Sequence, residues 1–399
     1  MLSISGLNKE GDTVTVDIST KMVDPRKGEY DNLPHIGPGN IESFTGRIFN
    51  NVLTVRESNL ISGKFHFNKG DIIYGKINPQ LAKYTIAPTE GLASADAYIL
   101  NSKNGVEQRF LYSILQTSGF YNYSVSVSAR TGMPKINRNE LDVYKFNSPK
   151  FKEQTRIGRF FQNLDTLIAL HQRKHDKLLA VNKSMLEKMF PKDGADVPEI
   201  RFKGFTGKWD RKTLGEMMEI SSAARVHKEE WTNDGVPFFR SSDVVAAFKG
   251  EVNKKAFISY GLYKKLSTIS GCVQSNDIFV TGGGSIGIPY LVKSNEPLYF
   301  KDADLLWFKK CAGIDCVYLY TFLTTTLFSK YIKNITHIGT ISHYTIEQAK
   351  ATPIMLPKKD EQIKVAAFFQ DLDSLISLQQ RELDMLKNIK KACFERMFV

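Results

Sequence analysis

The sequence predicts an α+β chain built twice over, with two β-rich mixed domains and two long helices that pair as an antiparallel, coiled-coil-like seam in a pseudo-twofold internal duplication. Three observations predict it. Residues 153–190 (EQTRIGRFFQNLDTLIALHQRKHDKLLAVNKSMLEKMF) and 361–398 (EQIKVAAFFQDLDSLISLQQRELDMLKNIKKACFERMF) superpose without a gap, and roughly half their positions are identical. The segments before them, 1–150 and 191–358, are short β-branched and aromatic runs broken by Gly, Asn, Asp and Pro. A length of 399 residues exceeds what one hydrophobic core usually organises.

Each element follows in order. The first domain, 1–150, carries an apolar Pro segment NLPHIGPGNI at 32–41, a strand region DIIYGKINPQLAKYTIA at 71–87 and a loop ARTGMPKINRNEL at 129–141. The first rod, 151–190, holds no proline before its end and a single glycine, Gly158, and its apolar residues recur by three and four. At about 1.5 Å per residue such a rod is roughly 55 Å long. The linker PKDGADVPEI opens the second domain, 191–358, in which GVPFFRSSDV at 235–244, DIFVTGGGSIGIPYLV at 277–292 and HIGTISHYTIEQA at 337–349 face the three segments of the first. The second rod occupies 359–399. Phe160, Phe161, Leu164 and Ile168, with Phe368, Phe369, Leu372 and Ile376, are the candidate seam and partner-binding positions. His171, His175 and Asn182 in one copy and Gln379 and Lys390 in the other interrupt the stripe, which argues against a uniform zipper. Two rods that match closely beside two domains that match poorly mean one contact made twice and two different things read.

Charge narrows the partner. The 54 Lys+Arg against 42 Asp+Glu give a net charge of +12, which favours a polyanion such as double-stranded DNA. Cys272, Cys311, Cys316 and Cys393 form no C-x-x-C pair, so neither a zinc module nor a disulfide framework is expected, and a reducing cytoplasm fits. No apolar run reaches the length of a membrane span, and the N-terminus lacks the pattern of a secretion signal.

The repeated EQ…FFQ.LD.LI.LQQR…MF pattern and RFKGFTGKWDRKTLGEM at the start of the second unit resemble the specificity subunit of type I restriction-modification systems. The resemblance covers nearly the whole chain, although the first unit lacks a counterpart of RFKGFTGKW. It implies two target-recognition domains, each reading one half of a bipartite, interrupted DNA sequence in the major groove. It also implies that the helices space the domains and dock two modification (adenine methyltransferase) subunits, to which restriction subunits are added. The chain itself is then non-catalytic and binds no cofactor, and S-adenosylmethionine, ATP and Mg are expected on the partner subunits.

Enzyme readings fail on the residues. Asn78-Pro79-Gln80-Leu81 lacks the second proline and the aromatic of an amino-methyltransferase loop, and no G-x-x-x-x-G-K-[ST] loop occurs. Asp302 and Asp304 beside Lys301 lack the second acidic strand of a nuclease site. Gly282, Gly284 and Gly287 satisfy G-x-G-x-x-G, but Pro289 stands where a phosphate-facing helix should begin. A coiled scaffold with incidental charge and a dinucleotide enzyme on Gly282–Gly287 are the competing readings. DNA contacts are therefore expected from loop residues able to hold phosphates or reach base edges. In the first domain these are Lys76, Asn78, Arg130, Thr131, Lys135, Asn137 and Arg138. In the second they are Arg240, Ser241, Ser242, Thr281, Gly283, Ser285, Lys293, His337, Thr340 and His343.

Overall fold

A computed structural model of the chain describes residues 12–13, 16–18, 21–103, 105–129, 132–192, 194–301, 304–336 and 343–398. It divides into two units, residues 1–174 with 380–399, and residues 175–379.

In the first unit an antiparallel sheet runs in the order Val16–Ile18, Ala97–Ser102, Ile72–Gly75, Tyr84–Ile86. These strands are apolar on both faces because successive side chains enter different cores. Ile72, Tyr74 and Leu100 join Phe110, Leu111 and Phe120 of the helices Gln108–Ile114 and Ser118–Ser128, whereas Ile73, Ala97 and Ile99 join Ile36, Phe67 and Ala93 of a second sheet. That second sheet contains a parallel pair, His35 opposite Leu92.

The second unit repeats the plan. Its central sheet has the order Ile220–Ser221, Leu305–Phe308, Ile278–Thr281, Pro289–Leu291, and the pairing of Tyr74 with Tyr98 in the first unit becomes that of Val280 with Leu306. A parallel pair recurs at Phe238 and Tyr299. Helices Cys316–Leu323 and Thr326–Thr336 cover the sheet as their counterparts do.

The rods are Phe151–Lys188 and Lys359–Met397, and each unit holds part of both. In the first unit Phe161 stacks on Phe394 at 4.0 Å and lies 5.7 Å from Phe398, while Lys390 Nζ meets Asp165 Oδ1 at 2.6 Å. In the second unit Phe369 lies 6.3 Å from Phe190, and Asn182 Nδ2 donates to Asp373 Oδ1 at 3.2 Å. The Phe161–Phe398 and Asp165–Lys390 pairs of one unit have their repeat images in Phe369–Phe190 and Asp373–Asn182 of the other, with the helices antiparallel in each. A buried glutamine then ties each rod to its domain. Gln154 donates to Pro149 O at 2.9 Å and accepts from Glu107 N at 2.8 Å; Gln362 donates to Pro357 O at 3.0 Å and accepts from Asp315 N at 2.8 Å.

This packing corrects one expectation about the rods. Phe161, Leu164, Phe369 and Leu372 are buried within their own units, and Phe160, Ile168, Phe368 and Ile376 are half-buried. The repeated stripe is consumed by the chain itself, so it serves as seam and leaves little for a partner. Among the exposed leucines, Leu167 and Leu170 on the first rod have repeat images, Leu375 and Leu378, that are exposed on the second; Leu179 is exposed on the first rod alone.

Gly158 is where the first rod approaches its domain closely. A Cβ there would lie 2.7 Å from Glu107 Oε2, 2.8 Å from Arg109 Cβ and 2.9 Å from Phe110 N. Alanine in a helix interior is ordinarily favoured over glycine by about 1 kcal/mol, but here the added methyl meets backbone. G158A is expected to destabilise the chain by about 1–3 kcal/mol, read in urea denaturation. The matching position in the second unit is Ala366, and Asp315 takes the place of Glu107 in the bond to the rod's glutamine; A366G should cost only about 1 kcal/mol.

Candidate nucleic-acid interface

Both central sheets release a loop from the end of an inner strand. In the first unit Lys76 N donates to Asp96 O at 3.0 Å and Lys76 O accepts from Ile136 N at 3.0 Å. In the second, Gly282 N donates to Asp304 O at 2.8 Å and Gly282 O accepts from Tyr344 N at 2.8 Å. The loops thus have one backbone plan with different side chains. Asn78 and Ala82 hold left-handed φ values of 52° and 44°, and Gly284 and Gly287 answer them at 71° and 81°. The glycines therefore meet a turn requirement that the first unit meets with other residues. The chain then enters the strand Pro289–Leu291, antiparallel to Ile278–Thr281. No helix follows the loop, so no helix N-terminus faces a pyrophosphate, and the dinucleotide reading is excluded.

In the first unit the fold gathers most of the expected residues. Ile77 bridges Lys135, and Asn78 N donates to Pro134 O at 2.8 Å, which sets the 76–78 loop beside the 134–138 segment. Lys76 Nζ lies 5.2 Å from the ring centre of Tyr98, and the Arg138 guanidinium lies 5.8 Å from the same ring. Burial holds the Lys76 ammonium below its ordinary pKa; Asp96 opposes this, and the positive charges of Lys135 and Arg138 add to it. Asn137 caps the short helix Arg138–Asp142, its N–H donating to Glu140 Oε2 at 2.6 Å. Its place in the group is structural. Tyr98, which organises two of the cations, was not legible as a site residue because an aromatic in a strand reads as core.

In the second unit, Ser241, Ser242, Gly283, Ser285 and Asp304 line an open groove of about 590 Å³. The His343 ring borders it, 3.5 Å from where a Cβ on Gly283 would stand. Asn253, absent from the expected set, also lines the groove and donates to Ser242 Oγ at 3.2 Å. Its only sequence signal is a polar Asn beside Lys254 and Lys255.

Three expected residues are placed differently. Thr281 is fully buried; its hydroxyl donates to Ser285 O and accepts from Ile288 N at 2.9 Å, so it closes the loop and presents nothing outward. Arg240 binds Asp243 through Nε at 2.8 Å and through a second nitrogen at 3.1 Å, and reaches Lys254 O at 2.6 Å. That geometry fixes the start of the helix Ser241–Lys249 and uses most of the guanidinium's donors. Lys293 is exposed, but it follows the strand end opposite the loop, where Asn276 N donates to Val292 O at 2.8 Å. Arg130, Thr131, His337, Thr340 and Asp302 lie outside the described residues. Among the described residues no helix is long and apolar enough to cross a membrane.

Comparison with known proteins agrees with this duplicated plan. A family model described as the type I restriction modification DNA specificity domain matches residues 20–180 and again 206–388. The chain is 35% identical over 181 residues to the type I restriction enzyme EcoDI specificity subunit of Escherichia coli, covering 44% of this chain and 39% of that one. Over 362 residues it is 23% identical to the type I restriction enzyme MjaVIII specificity subunit of Methanocaldococcus jannaschii, covering 86% of this chain and 79% of that one. A crystal structure of a type I restriction-modification system S subunit from M. genitalium matches with a TM-score of 0.59 at 16% identity, over 100% of this chain and 98% of that one. At that identity the likeness is one of fold. With the family's domain matched once in each half and both halves folded on one plan, the chain belongs to the type I restriction-modification DNA specificity family.

Proposed function

We propose that the protein is the non-catalytic, sequence-reading subunit of a type I restriction-modification complex, each unit contacting one half of a bipartite double-stranded DNA target. The observation that carries this reading is the matched pair of loops. One backbone plan presents Lys76, Asn78, Lys135 and Arg138 in one unit and Gly283, Ser285 and His343 in the other, as two half-sites of different sequence require. The exposed repeat images Leu167/Leu170 and Leu375/Leu378 supply two like faces for two modification subunits. Restriction subunits complete the assembly, and S-adenosylmethionine, ATP and Mg belong to those partners.

Methylome sequencing of a host with and without this chain tests the reading. Loss of one interrupted adenine-methylation motif is the expected result; a methylome that does not change removes the reading and leaves a scaffold. Exchanging residues 191–358 for the corresponding segment of a relative should then rewrite one half of that motif and leave the other intact.

A further inference from the structure

The two loops share a backbone but not a charge. Around the first, Lys76 and Arg138 both stand over Tyr98, and Lys135 is exposed on the bridging segment. At the matching positions of the second unit stand Gly282, Ile346, Leu306 and His343. Three basic groups and one aromatic platform have been replaced by one ionisable side chain. We infer that the units grip DNA unequally, the first holding a backbone phosphodiester among Lys76, Lys135 and Arg138 against the Tyr98 ring, the second lacking that clamp.

The physical case is as follows. Cations drawn together over one ring repel each other, and among the described residues the Asp96 carboxylate acts against this at Lys76. A phosphodiester oxygen entering the group relieves the repulsion and accepts from both a guanidinium and an ammonium, each a strong donor to anions. Convergent like charges do not distinguish bases, so this site positions the duplex while neighbouring polar groups read it. Every phosphate so neutralised releases condensed counterions, which makes the grip of the first unit the salt-sensitive part of binding. In the second unit Gly284 is exposed with open space where a side chain would stand, so the backbone there can approach closely, and binding leans on contacts that salt screens little.

The inference rests on the DNA-reading function proposed above, and one titration separates the two. The full chain is titrated into a fluorescein-labelled duplex of mixed sequence between about 50 and 200 mM salt, where the slope of log K against log salt counts phosphate contacts at roughly 0.9 each. K76Q/K135Q/R138Q is expected to reduce the slope by about 1, K135Q alone to reduce it in the same direction by less, and K208Q, at a lysine bound to Asp196, should leave it as in the parent. A folded triple variant with the parent's slope overturns the clamp while DNA binding stands. Should the triple variant not fold, the exposed K135Q decides alone, and an unchanged slope overturns the clamp. A parent chain that binds no duplex at any salt overturns both proposals.

Discussion

Replacing Arg201 by alanine is expected to lower the stability of the second unit by about 3–5 kcal/mol. Arg201 Nε and a terminal nitrogen hold the two oxygens of Glu361 at 2.7 and 2.8 Å, and its other terminal nitrogen donates to Gly207 O at 2.6 Å. Glu361 begins the second rod and is only 1% exposed, so without its guanidinium it is a carboxylate out of water with no compensating charge. Glu361→Ala should cost less than Arg201→Ala, because the arginine left behind is nearer to solvent, its side chain 17% exposed. The double variant R201M/E361L removes both charges and should recover part of the loss. All three tryptophans, Trp209, Trp231 and Trp307, fall in the second unit, so the denaturation midpoint of intrinsic fluorescence reads the effect directly. A midpoint equal to that of the parent would show that the pair contributes nothing.

Phe161→Ala should weaken the first unit by a similar amount, about 3–5 kcal/mol. The ring is buried, stacked on Phe394 at 4.0 Å and close to Phe160 at 5.3 Å and Phe398 at 5.7 Å. Removing it opens a cavity lined by aromatics whose stacking is lost as well. Because the first unit contains no tryptophan, the expected signature is an earlier far-ultraviolet circular dichroism transition with the fluorescence transition unmoved. If fluorescence shifts as far as circular dichroism, Phe161 supports the whole chain and not the first unit alone.

The rods were the most legible part of the fold. Apolar residues spaced by three and four over such a length admit few alternatives to a helix, and the close repeat announced the same contact twice. What the repeat did not reveal was which side that contact uses. Phe161 and Phe369 look like partner-binding anchors until they are seen against Phe394 and Phe190, after which the outward leucines become the candidates. The glycine loop was readable by exclusion, since Pro289 forbids the helix a dinucleotide site needs. The reason for its glycines was not readable: Gly284 and Gly287 serve the left-handed turn for which Asn78 and Ala82 suffice in the first unit.

Side-chain direction set the limit at the candidate interface. Thr281, Arg240 and Ser285 are all polar loop residues in the sequence, and nothing local separates them. Long-range pairing does: Ser285 O and Ile288 N consume the Thr281 hydroxyl, Asp243 and Lys254 O hold Arg240, and Ser285 is left exposed. Tyr98 gathers Lys76 and Arg138 only because strands distant in sequence align at one register. By itself, then, the sequence determined the duplication, the two rods, the basic character and the absence of a phosphate-binding glycine fingerprint, because these depend on local periodicity, charge and backbone restriction. Which side chains face outward, and which cations share one ring, was decided by tertiary structure, because those properties arise from contacts between segments that composition and spacing do not record.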